Sequence, residues 1–172
     1  MVGELDGSET RAYLLIRGLF KRATLNYADP IAGPEYYVAV QVHQQRTPIM
    51  HTEISEDGQV HIAADIFLEG NIVAISSGLV YENSEKLPLL EEAINQKFDT
   101  KCQEVIQRSQ QEFQADIFGF GFWTKHHFLT SSQWTEFGWF EKYPEAQVNV
   151  KVHTTIKRTS LQLKTSPYVG GM

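Results

Sequence analysis

An α+β fold is predicted, with an antiparallel sheet of about four strands and one long helix and shorter helices packed on one face. Three features of the 172-residue sequence predict it. Runs of period two cluster in the first half, a single stripe of helical period then persists for roughly 30 residues, and one more period-two run follows near the end.

The first element is a helix. Asp6 and Glu9 form a capping-box pattern, and Ala12, Tyr13, Leu15, Ile16, Leu19 and Phe20 recur at helical spacing, which predicts a helix over about 8–20. Residues 26–34, rich in Asn, Asp, Gly and Pro, are expected to form a loop. Val38, Val40 and Val42 then alternate with polar Gln41, His43 and Gln45 as a half-buried strand. Two further strands, at 49–55 and from Val60, flank Asp57-Gly58, a pair that tolerates the positive φ of a tight hairpin. Gly70-Asn71 interrupts the second of these, and a bulge or bend within one long strand is expected there.

Residues 76–83 turn polar, and the long helix is expected from about Ser84, with Pro88 tolerated in its first turn. Its apolar stripe comprises Leu87, Leu90, Ile94, Phe98, Cys102, Val105 and Phe113. The segment ADIFGFGFWTKHHF is a glycine-punctuated aromatic turn. Thr130 with Gln133 then caps a helix expected over about 131–142, which Pro144 stops. Val148, Val150, Val152, Thr154 and Ile156 alternate with Asn149, Lys151 and His153 as the last strand, and the tail at 166–172 is expected to fray.

Length and composition fit a single domain over residues 1–172, a size at which roughly 70% of the unfolded surface is buried. Net charge is −6 with scattered Lys and Arg, which argues against nucleic acid as a partner. Cys102 is the sole cysteine, so neither an internal disulfide nor a multi-cysteine metal site is available. No apolar run approaches the roughly 20 residues of a spanning helix. The abrupt start suggests a fragment of a longer protein, with any lipid anchor upstream.

Catalytic and metal motifs do not emerge. GFGFWT begins like a dinucleotide fingerprint, but Thr124 stands where the third glycine belongs and no βαβ unit surrounds it. His43, His61 and His153 are expected on the polar face of the sheet, and His126 and His127 are adjacent, yet none has metal-ligand spacing. Glu91, Glu92, Asp99, Glu104 and Glu112 on the long helix are read as a solvated face, and Cys102 as core. Glu53 with Asp65 is the only carboxylate pair weighed as glycosidase-type acids. No cofactor, no metal and no enzymatic activity are expected.

After the long helix the chain must turn sharply and bury several aromatics. Asp116 is expected to hold this turn by accepting backbone amides, with Gly119 and Gly121 permitting it. A pocket lined by Phe120, Trp123 and Trp134 is the alternative use of these rings.

The stretch QQEFQADIFGFG, a Trp-bearing helix, and WFEKYPEAQVNVKVHTTIKRTSL together resemble the carboxy-terminal signature of the Ger(x)C family of spore germination lipoproteins. The opening MVGELDGSETRAYLL is similar to the start of that family's third domain. On this resemblance Asp116, Phe118, Gly119, Gly121, Trp134 and Trp139 form a structural signature, and Phe120 and Trp123 are candidates for ligand or partner contact. The resemblance implies the C subunit of a nutrient germinant receptor that works with integral-membrane A and B subunits. It also implies lipid anchoring at the outer face of the spore inner membrane. A small-molecule germinant-binding domain with an aromatic pocket is the alternative.

Overall fold

The computed structural model describes residues 3–81 and 85–159. Five strands form one mixed sheet: β1 (Arg22–Asp29), β2 (Gly33–Gln44), β3 (Ile49–Ile54), β4 (Val60–Ile75) and β5 (Gln147–Thr159). Strand β4 is the spine. Along one side its second half pairs antiparallel with β2 and its first half antiparallel with β3, so β2 and β3 act as one strand interrupted around Pro48. The sheet is therefore four strands wide, as expected, but built from five segments.

The last strand corrects the expectation of a purely antiparallel sheet. β5 runs parallel to β4, from His61 opposite Gln147 to Ile72 opposite Thr159. A parallel neighbour requires a crossover, which the helical segment between β4 and β5 supplies. The bulge expected at Gly70-Asn71 is present as a register shift between those residues against β5.

Helix α1 (Gly7–Ile16) starts at the Asp6/Glu9 capping box, whose reciprocal hydrogen bonds both form. It ends earlier than the expected residue 20, because Gly18 adopts φ +70° and its amide and that of Leu19 turn back to Leu15 and Leu14. The expected loop at 26–34 is also corrected. Residues 22–29 are strand, and the turn contracts to 30–32, where the Asp29 carboxylate accepts the Ile31 and Ala32 amides. Alternation of Tyr27 and Asp29 toward the interior outweighs the local turn chemistry.

Helix α2 (Leu87–Gln111) buries Leu90, Ile94, Phe98, Cys102, Val105 and Ile106 against the inner sheet face, and Phe113 falls beyond its end. Ser84 and the tail at 166–172 lie outside the described residues. After α2 come α3 (Phe120–Thr124), a 3₁₀ turn (Lys125–His127), α4 (Ser131–Phe137) and α5 (Trp139–Lys142). The single helix expected over 131–142 is thus two, divided by Gly138 at φ +67°. The Thr130/Gln133 capping box opens the first of them.

Along β5 the reading of the α2 carboxylates as a solvated face is overturned for Glu91 and Asp99, while Glu92, Glu104 and Glu112 are exposed as expected. Glu91, Asn95 and Asp99 accept the backbone N–H groups of Ile156, Thr154 and Val152 at 2.7, 2.8 and 2.7 Å. The Gln103 and Gln110 amides donate to the Val148 and Ala146 carbonyls. Four helical residues rise about 6.0 Å and two strand residues about 6.6 Å, so an i, i+4 row of side chains stays in step with alternate strand residues. The helix thereby satisfies an edge that would otherwise be open to another strand.

Among the described residues no helix packs on the opposite sheet face. Glu53, His61 and Gln147 share one cross-strand row there, and His51, Ala63 and Asn149 the next. Further along, His153 bonds Asp65 at 2.8 Å and stacks on Phe67, whose ring also carries the Arg46 guanidinium at 3.8 Å from its centroid. His43 faces Glu69 at 3.5 Å, and Gln45 donates to the same carboxylate.

Candidate functional site

The chain leaves α2 through Gln114 at φ +48° and reaches Asp116, whose carboxylate organises everything that follows. Its Oδ1 accepts the Gly119 and Phe120 amides at 2.8 and 3.0 Å, and Oδ2 accepts the Gly121 amide at 2.7 Å and the Trp139 indole at 3.1 Å. One side chain thus serves the free amides at the start of α3 and ties that helix to α5.

The two glycines act for different reasons. Gly119 sits at φ +81°, a backbone region that side chains disfavour. Gly121 is needed for proximity, since a Cβ there would lie 2.5 Å from Trp139 Nε1. Phe118 and Phe120 pack into the core, with Phe120 against Tyr143, and Trp139 stacks on Trp134 and packs tilted against Tyr143. Tyr143 is buried beneath them, its hydroxyl 2.5 Å from Ser109 Oγ, and burial pushes that phenol up.

The structure does not bring Phe120, Trp123 and Trp134 into a shared pocket. Phe120 is fully buried and has no surface for a ligand or partner. Trp134 stacks on Phe137 and Trp139, whereas Trp123 lies outside against Phe122 and His126. Packing claims the first two rings because each faces a preformed core of aromatics.

The carboxylates weighed for catalysis are also separated. Glu53 lies opposite His61, and Asp65 stands four residues further along β4, about 13 Å at the rise of a strand. That exceeds both spacings of glycosidase acids, and Asp65 is bound to His153. Cys102 is fully enclosed and burial pushes its thiol up to about 12. No group of three or more His, Cys, Asp or Glu residues is placed to hold a metal among the described residues. None of the described helices is long and apolar enough to cross a membrane.

Sequence reasoning missed one polar centre. Buried Asp29 accepts hydrogen bonds from Tyr81 and Ser77, both at 2.6 Å, joining the β1–β2 turn to the segment after β4. Burial alone would raise its pKa, but Ser77, Tyr81 and the Ala32 and Ile31 amides together bring it down to about 2. Its only signal was an aspartate at an inward strand position.

A family model described as "Spore germination B3/GerAC like, C-terminal" matches residues 1–160. A solved structure described as "Crystal Structure of the GerBC protein" is similar with a TM-score of 0.73 and 14% sequence identity, covering 90% of this chain and 47% of that one. The likeness to that structure is one of fold, and the chain spans about half its length. No curated protein matches.

Proposed function

The chain belongs to the spore germination B3/GerAC-like C-terminal family, and from that membership we propose that it is a non-enzymatic module of a germinant-receptor C subunit. The family match over residues 1–160 is the observation that carries this reading. In the full-length protein an upstream lipid anchor holds the module at the outer face of the spore inner membrane, where it assembles with the integral-membrane A and B subunits.

The geometry supports an assembling role over a ligand pocket. The described helices, the Asp116 turn and the α2–β5 ladder occupy one sheet face and the β5 edge, which leaves the opposite face open to a partner. That face is preorganised: Arg46, Phe67, His153 and Asp65 hold one another, as do His43, Gln45 and Glu69. An arginine on an aromatic ring amid fixed charges is suited to a specific polar contact.

Size-exclusion chromatography of the chain mixed with the soluble parts of the A and B subunits tests the reading. A co-eluting complex is expected. Separate elution, together with calorimetric heat on titration with amino acids or sugars, would favour a germinant-binding domain instead.

A further inference from the structure

The segment from α3 to the start of α4 presents large apolar side chains outward. Leu129 is 94% exposed, Phe122 67% and Trp123 39%. Buried neighbours hold them in place: Phe120 and Thr124 on the inner side of α3, and the Asp116 carboxylate at its start. Lys125 and His126 stand between them, and Phe122, Lys125, His126 and Leu129 line one open groove of about 470 Å³. No carboxylate occurs from Ile117 to Thr135, although the chain as a whole carries a net charge of −6.

We propose that this projection is a membrane-contact site, with Phe122, Trp123 and Leu129 entering the interfacial layer of a bilayer and Lys125 meeting anionic headgroups. Three observations favour a lipid surface over a protein groove. The groove that Phe122 and Leu129 line is open, and both side chains stand mostly in solvent, Leu129 almost wholly. An indole beside a lysine matches the belt where amphipathic side chains settle between hydrocarbon and water. The local charge is opposite in sign to the rest of the molecule, so an anionic surface attracts this end and repels the others. The site is separate from the open sheet face and stands whether or not that face binds another subunit.

Vesicle co-sedimentation of the 172-residue chain, with tryptophan emission as a second readout, tests the proposal. Binding to phosphatidylglycerol-containing vesicles is expected, weaker on phosphatidylcholine alone, with a blue shift that Trp123→Phe removes. Lys125→Gln should weaken binding to the anionic vesicles about fivefold, the loss expected for one basic residue near such a surface. Phe122→Ser with Leu129→Ser should abolish it with an unchanged melting curve, and Leu129→Trp should strengthen it. Absence of wild-type binding to anionic vesicles, or binding that survives the double substitution, overturns the proposal. So does a chain that ignores vesicles but loses a protein partner through the same substitutions, which would assign the surface to that protein.

Discussion

The Trp139 indole donates to Asp116 Oδ2 at 3.1 Å, and the same oxygen accepts the Gly121 amide at 2.7 Å. This bond joins the turn after α2 to the helix before β5, segments that are distant in sequence and adjacent in the core.

Asp116→Ala leaves three amides and an indole N–H without their acceptor. A loss of about 2 kcal/mol or more is expected. Urea unfolding followed by tryptophan emission measures it, and Asp116→Asn should recover part of the loss because its carbonyl oxygen still accepts.

Gly121→Ala drives a methyl group into Trp139. Destabilisation of about 1–3 kcal/mol is expected from overpacking. Combining it with Trp139→Phe, which removes the atom that the methyl meets, should cost less than the sum of the two single changes.

Asp29 predicts a specific acid response. Its folded pKa of about 2 lies below the 3.8 of a free aspartate, so the fold favours the ionised form. The resulting stabilisation, about 2 kcal/mol, is complete above roughly pH 5 and is lost as pH falls through 3.8 toward 2. Asp29→Asn should be less stable at neutral pH, with the gap from wild type narrowing over that range in denaturant titrations at stepped pH.

The α2 ladder makes β5 a closed edge. Asn95→Ala with Asp99→Ala frees the Thr154 and Val152 amides, at a cost of about 2–4 kcal/mol. Light scattering should also show self-association through the uncovered strand, which neither a core cavity nor a surface charge change would produce.

These elements differ in how far they could be read in advance. The two capping boxes, the Asp57-Gly58 hairpin and the inward valines were legible because each depends on neighbours in sequence. Strand β1 was hidden, since its Asn, Asp and Pro neighbours carry turn chemistry and only pairing with β2 decides the matter. The direction of β5 was hidden likewise, because alternation is the same in parallel and antiparallel strands. Glu91 and Asp99 looked like solvated carboxylates until β5 brought its amides to them. At the turn, Asp116 and its glycines were legible as a unit, but the fates of three rings were not. Phe120 entered the core, Trp134 packed half-buried against it and Trp123 stayed outside, a choice made by tertiary packing.

The proposed assembly through the open sheet face is tested by a charge reversal there. Asp65→Lys with Glu69→Lys, both on that face, should leave the melting temperature within a few degrees of wild type. Their affinity for the soluble parts of the A and B subunits, measured by surface plasmon resonance, should fall at least about tenfold. Undiminished affinity in the folded double variant would rule out assembly through this face.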